Sequence, residues 1–252
     1  MIRIHALSES ASYYAPEFFE WQADRAERSA RFVVPQLMEL ARPRSVVDLG
    51  CGTGAWLQVF REHGVEEILG IDGPYIDRDQ LRIPVESFVA ADIAGPPALD
   101  RRFDLALTLE AVHCAPPEAA ETIVHALTTY APVVYFSSAV PYQGGGPGPN
   151  RQWPRYWSDL FAREKFDCYD FLRSELWEEP HVDWWYAQNG LIFAREGVLE
   201  GTEPTGPPLP LVHPLLLAHV AEQGPHDADP EPEPQPQPQP AGLLRRLRGL
   251  SP

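Results

Sequence analysis

The chain has almost no lysine. Lys165 stands alone among 20 basic residues, against 36 acidic ones, and the formal net charge is −16. Proteins that grip nucleic acid neutralise phosphates with clustered lysine and arginine, so this balance excludes a nucleic-acid partner and argues against tRNA- or rRNA-modifying classes. Cysteine is scarce too. Cys51, Cys114 and Cys168 are odd in number and far apart, which excludes a disulfide framework and a cysteine-built zinc site; no metal is expected, and the thiols fit a reducing compartment. No run of about 18 apolar residues is present to cross a bilayer, and the N-terminus shows no basic-then-apolar leader. The expectation is a cytoplasmic protein.

What is present is a globular composition, 44% apolar over 252 residues, enough for one large α/β domain. The composition changes after Arg195. Asp229 to Pro240 alternates proline with acidic and amide residues, a pattern that removes backbone donors and favours extended polyproline II. Beyond it, Gly242 to Leu250 spaces Leu243, Leu244, Leu247 and Leu250 among Arg245, Arg246 and Arg248. The expected organisation is an N-terminal helical segment over 1–44, a ligand-binding domain over 45–195, and an acidic, proline-rich disordered linker over 196–252. That linker ends in a short basic amphipathic tail, expected to make weak contact with an anionic membrane or a partner protein.

Periodicity predicts a long helix over Glu17–Leu40 and helices over Ala55–His63, Pro117–Tyr130 and Arg155–Arg163. Apolar strands are predicted at Ser45–Leu49, Ile68–Ile71, Phe88–Ala91, Phe103–Leu109, Val133–Ser138 and Leu191–Ala194. Alternation of this kind implies a mostly parallel sheet covered on both faces. Ligands in such sheets bind beyond the carboxyl ends of the strands, where four of these strands carry a glycine loop or an acid. Asp48 precedes Gly50, Gly52 and Gly54, a loop that lets a ligand approach the backbone and opens a helix whose amides face it. A carboxylate there suits a ligand with a cationic amino group. Asp72, followed by Gly73, is placed to accept ribose hydroxyls; Asp92 and Ile93 are placed for an adenine ring; Glu110 ends the fourth strand. The spacing Gly50, Gly52, Ala55 also fits a relaxed dinucleotide pattern, as in an NAD(P)-dependent oxidoreductase. Against it, the single lysine leaves no Tyr-x-x-x-Lys pair, since position 161 is Phe161, and Asp48 has no use against a pyrophosphate.

Val47 to Gly54 resembles the first motif of class I methyltransferases, and Phe103 to Glu110 resembles their fourth-strand motif. Gly70 to Asp77, Asn150 to Trp157 and Trp184 to Asn189 resemble a bacterial subgroup associated with glycan and secondary-metabolite biosynthesis. The likeness runs from Tyr13 to Arg195, and Val212-His-Pro214 is similar as well. It implies a Rossmann-like α/β fold with a mostly parallel seven-stranded sheet, S-adenosylmethionine as cofactor, and methyl transfer to a small-molecule or oligosaccharide acceptor, with a sugar hydroxyl first and a non-sugar natural product second. The chain departs from the subgroup where a glutamate–histidine pair is usual, having His113-Cys114, and where a histidine and a glutamate are usual, having Gly148 and Arg151. A catalytically silent cofactor-binding relative is therefore a further reading.

A hydroxyl acceptor needs a base, and a well-placed one contributes ~10²–10⁴-fold. His113, just past the fourth strand, is the candidate, with His181 and Asp183 behind it. Gln143, Gln152, Gln188 and Asn189 could orient acceptor hydroxyls. Trp153, Tyr156, Trp157, Trp184, Trp185 and Tyr186 divide between core packing and an acceptor wall, Trp153 and Tyr186 being the acceptor candidates. Gln143–Pro149, with three successive glycines, reads as a lid.

Overall fold

The structure, a computed structural model, describes residues 16–144 and 148–223. Seven strands form one sheet: β1 (Ser45–Leu49), β2 (Glu67–Asp72), β3 (Phe88–Ala90), β4 (Leu105–Leu109), β5 (Val133–Ser137), β6 (Phe166–Tyr169) and β7 (Leu191–Arg195). Their spatial order is β3-β2-β1-β4-β5-β7-β6. The first five pair in parallel; β7 runs antiparallel to β5 and to β6. This is the Rossmann-like α/β arrangement expected from the motifs.

β1, β4 and β5 are buried along their whole length, which is why they read as continuous apolar runs. Alternate side chains feed two cores. On one face Val46, Leu105, Leu107 and Tyr135 meet α1 (Pro16–Ala41) and α2 (Ala55–Glu62), with α5 (Leu172–Leu176) and α6 (Trp184–Asn189) alongside. On the other, Val47, Ala106, Val134 and Phe136 meet α3 (Ala120–Tyr130) and α4 (Pro154–Arg163). Val33, Val34 and Leu37 of α1 are fully buried, so the N-terminal helix is part of this body. Among the described residues no helix is long and apolar enough to cross a membrane.

Besides the short helices α5 and α6, which were not predicted, two parts of the chain differ from expectation. β6 was not predicted: Phe-Asp-Cys-Tyr is a four-residue edge strand that directly follows α4, too short for alternation to register. The segment from residue 196 to 223, expected as disordered linker, is a strap packed on the domain. The Arg173 guanidinium, buried and paired with Asp170, donates to the Leu209 carbonyl at 3.0 Å. Thr205 bonds the Cys168 carbonyl and accepts the Asp170 amide. Leu199 and Leu216 are buried, and the strap ends in α7 (Pro214–Gln223). Its prolines favour extended backbone, which suits a segment held by side chains of the domain. The polyproline stretch and the basic tail lie outside the described residues, as does the middle of the expected lid, 145–147.

Candidate functional site

The strand order reverses between β1 and β4, the switch point at which open α/β sheets hold ligands. The loop after β1 crosses the end of β2, with the Gly50 and Cys51 amides both donating to the Ile71 carbonyl. Gly50 has φ +83°, and a Cβ there would stand 2.3 Å from the Ala111 Cβ. Only glycine lets the ends of β1 and β4 come this close. Gly52 also has a left-handed φ, +56°, but a Cβ on it would meet nothing within 4 Å. Gly54 immediately precedes α2 and packs on Ile83. A cavity of about 220 Å³ opens beside the loop, lined by Ala23, Thr53, Gln80 and Arg82.

Asp48 is 1% exposed, and its Oδ1 has no hydrogen-bond partner among the described residues; the Thr53 hydroxyl is likewise unpartnered. Burial, with the Asp72 charge added, pushes the Asp48 carboxyl up to about 8. A buried, unpartnered carboxyl is costly unless a donor reaches it. These orphaned groups and the open face of Gly52 fit a ligand that brings a cationic amine across the glycine loop. Asp72 stands where the β2 motif put it, but its acceptors are busy. Oδ2 takes the Gly52 amide at 2.7 Å, and Oδ1 takes the Gly73 amide at 2.6 Å and the Tyr75 hydroxyl at 2.7 Å. Asp92 is exposed and caps its own turn by accepting the Ala94 amide. Ile93 lies half-buried under Gly50.

Across the switch point, Glu110 follows β4 with φ +52°, an unusual conformation for a non-glycine residue and one often found at functional sites. Its amide donates to Ser137 at the end of β5. Its carboxylate is clamped by two amides: Gln143 donates to Oε2 at 2.7 Å and Asn189 to Oε1 at 3.0 Å. The network continues. Gln143 Oε1 accepts from Val140 and Asn189, Gln188 donates to Asn189, and Gln188 Oε1 accepts the His213 amide at 2.7 Å. Desolvation outweighs these hydrogen bonds and raises Glu110 to about 7. Glu110, expected at the cofactor, thus joins Gln143, Gln188 and Asn189, which were expected at the acceptor. Gln143 belongs to this buried cluster rather than to a lid.

His113 is buried, and its Nδ1 accepts the Ala139 amide at 3.3 Å. That bond leaves the ring hydrogen on Nε2. Burial, then the nearby Arg151 charge, drops its pKa to about 3, so the ring stays neutral and is a poor proton acceptor. The expected base role does not fit this placement. The two runners-up hold α1 instead. Asp183 is buried between Arg25 at 2.5 Å and Arg28 at 2.8 Å, while His181 is exposed, bonded to Glu179 and stacked on Phe32. Trp157 and Tyr186 are core residues, the latter edge-on to Trp56 at 5.2 Å. Trp184 and Trp185 are half-buried, with Arg25 over the Trp185 ring. Trp153 is half-buried just before α4, Tyr156 packs edge-on to Trp157, and Gln152 bonds Asn150. Among the described residues no cluster of three or more metal-ligating side chains occurs. Tyr75 and Ser137 were not foreseen. The Val-His-Pro pattern around His213 was the one signal for the strap's anchor.

Residues 21–188 match the sequence family described as a methyltransferase domain. A malonyl-acyl-carrier-protein O-methyltransferase of Pseudescherichia vulneris is 30% identical over 179 residues, covering 70% of this chain and 67% of that protein. Among solved structures, an O-methyltransferase of Nostoc punctiforme aligns with a TM-score of 0.53 at 15% identity, over 75% of this chain and 61% of that one. Human N-acetylserotonin methyltransferase in complex with SAM aligns at 0.50 and 12% identity, over 71% of this chain and 55% of that one. The chain spans less than two thirds of these two structures, and at such identities the likeness is one of fold.

Proposed function

Because the chain belongs to the class I S-adenosylmethionine-dependent methyltransferases, with S-adenosylmethionine as its cofactor, we propose that it methylates a hydroxyl oxygen of a small polyhydroxylated acceptor. The acceptor class is a sugar of a glycan or of a glycosylated metabolite, and Glu110 is the base. The observation that carries this reading is the amide-clamped Glu110 carboxylate at the switch point, one residue from the packing contact with Gly50.

The cofactor supplies a methyl group already activated on a sulfonium. Asp48 and Thr53 would hold the amine end of the cofactor, Gly52 would leave room for it, and Asp72 would take the ribose, with Ile93 toward the adenine. Glu110 then has the acceptor to itself. As the acceptor oxygen attacks, its proton passes to Glu110 Oε1, the oxygen with the longer amide bond, and afterwards to solvent. A pKa near 7 suits that exchange at neutral pH. Asn189 and Gln143 keep the carboxylate oriented, and Gln143 keeps one amide hydrogen for a neighbouring hydroxyl. The name of the Pseudescherichia vulneris protein points to an acyl-carrier-bound acceptor for that enzyme. A carboxylate acceptor here would set its charge against Glu110; a hydroxyl gains a base from it.

Incubation with S-adenosylmethionine and pools of sugar, glycosylated and non-sugar acceptors, read by mass spectrometry for the gain of one methylene, tests the reading. On the acceptor found, Glu110→Gln should lower kcat by about 10²-fold or more with S-adenosylhomocysteine affinity nearly unchanged. Methylation confined to non-sugar acceptors would replace the sugar. An unchanged kcat would remove Glu110 as base. Cofactor binding without transfer to any pool would point to a silent relative.

A further inference from the structure

Asp72 does not have room for a ribose diol as it stands. A carboxylate offers about four lone-pair positions, two on each oxygen. Oδ1 already accepts twice, from the Gly73 amide and the Tyr75 hydroxyl, and Oδ2 accepts once, from Gly52. A diol that presents one O–H to each oxygen finds Oδ2 open and Oδ1 full.

Of the two donors on Oδ1, only one can leave without moving the backbone. The Gly73 amide belongs to the backbone continuing from β2. Tyr75 is a side chain, 47% exposed, on a turn closed by the Ile76 amide to the Gly73 carbonyl. The turn itself is fixed by Pro74 and by Ile76, which is buried. The Tyr75 ring lies on Gly73, so closely that a Cβ there would fall 2.0 Å from its Cε1. The ring thus lies over the strand end, with its hydroxyl on Asp72 and its edge where its neighbour has no side chain. It can turn outward by a change of rotamer, with the backbone at rest.

We propose that the Tyr75 hydroxyl occupies the ribose seat on Asp72 and is exchanged for a ribose hydroxyl when the cofactor binds. Tyr75 is a built-in competitor that loosens cofactor affinity and stops Asp72 from being left short of a donor when the site is empty of ligand. The inference rests on the reading of Asp72 as the ribose acceptor.

Calorimetric titration of the full chain with S-adenosylhomocysteine tests it without turnover. Tyr75→Phe keeps the ring and removes the competing donor. It should tighten binding about tenfold, the factor that roughly 1.4 kcal/mol of net hydrogen bond is worth. Affinity that is unchanged or weaker would overturn the proposal, because a hydroxyl that merely positioned Asp72 would be missed when removed. Asp72→Asn, which keeps an acceptor for the loop amides, separates the two readings. If it binds as wild type does, Asp72 is not the ribose seat and both fall. If it weakens binding while Tyr75→Phe gains nothing, the exchange alone is wrong.

Discussion

Adding one methyl group to Gly50 and to Gly52 should break two different things. At Gly50 the new Cβ would stand 2.3 Å from the Ala111 Cβ, well inside contact, in a backbone with φ +83°. The left-handed conformation costs an L residue about 1–2 kcal/mol. Forcing a methyl into a closed contact adds about 1–3 kcal/mol, since the ends of β1 and β4 must part. The expected loss for Gly50→Ala is therefore about 2–5 kcal/mol, a large share of a typical domain's stability. At Gly52 the backbone is also left-handed, φ +56°, but the Cβ meets nothing within 4 Å. Gly52→Ala should cost about 1–2 kcal/mol from the backbone alone, while its methyl enters the space assigned to the cofactor. Urea denaturation of both variants, with S-adenosylhomocysteine titrations of the folded proteins, checks the pair. Gly52→Ala should fold and bind at least tenfold more weakly, by the loss of about 1.4 kcal/mol. Wild-type affinity in that variant would falsify the placement of the cofactor across the loop, and wild-type stability in Gly50→Ala would refute the strand-end packing.

Cofactor binding should be linked to protons through Asp48. With its pKa raised to about 8, the free carboxyl is protonated at neutral pH, and an ammonium seated on Oδ1 would favour the ionised form. S-adenosylhomocysteine binding should therefore release a proton below about pH 8, with affinity rising toward that pH and levelling above it. Calorimetry in buffers of different protonation enthalpy would show this, and heats independent of buffer would detach Asp48 from the amine. Asp183→Asn should act on stability and not on chemistry. Arg25 and Arg28 are a third to a half exposed, so solvent takes up part of their freed charge, and the loss should be about 1–3 kcal/mol in a melt. A kcat lowered tenfold in that variant would return Asp183 to the mechanism.

The strand-end residues proposed for the cofactor were legible because their chemistry is local. Asp48, Gly50, Gly52, Gly54, Asp72 and Ile93 sit on strand ends and the turns after them, where composition and position carry the same message. The cluster proposed for the acceptor is assembled from distant segments. Gln143, Gln188 and Asn189 each stood out as amides, yet nothing local says that they converge on Glu110, or that residue 213 closes the set from the strap. The position of His113 after β4 was legible, while its burial, a tertiary property, was not. The proline content after Arg195 read as disorder because composition cannot show Arg173 holding the Leu209 carbonyl.

The strap also sets an order on the birth of the enzyme. A chain is made from its N-terminal end, and every residue assigned to the cofactor has been synthesised once β4 and Glu110 are complete. Gln188, by contrast, waits for the His213 amide, near the far end of the described chain. The amide cluster proposed for the acceptor is therefore the last part of the site to be completed. A change near His213 should therefore reach the proposed acceptor cluster directly, through the Gln188 side chain, before it reaches the strand ends proposed for the cofactor.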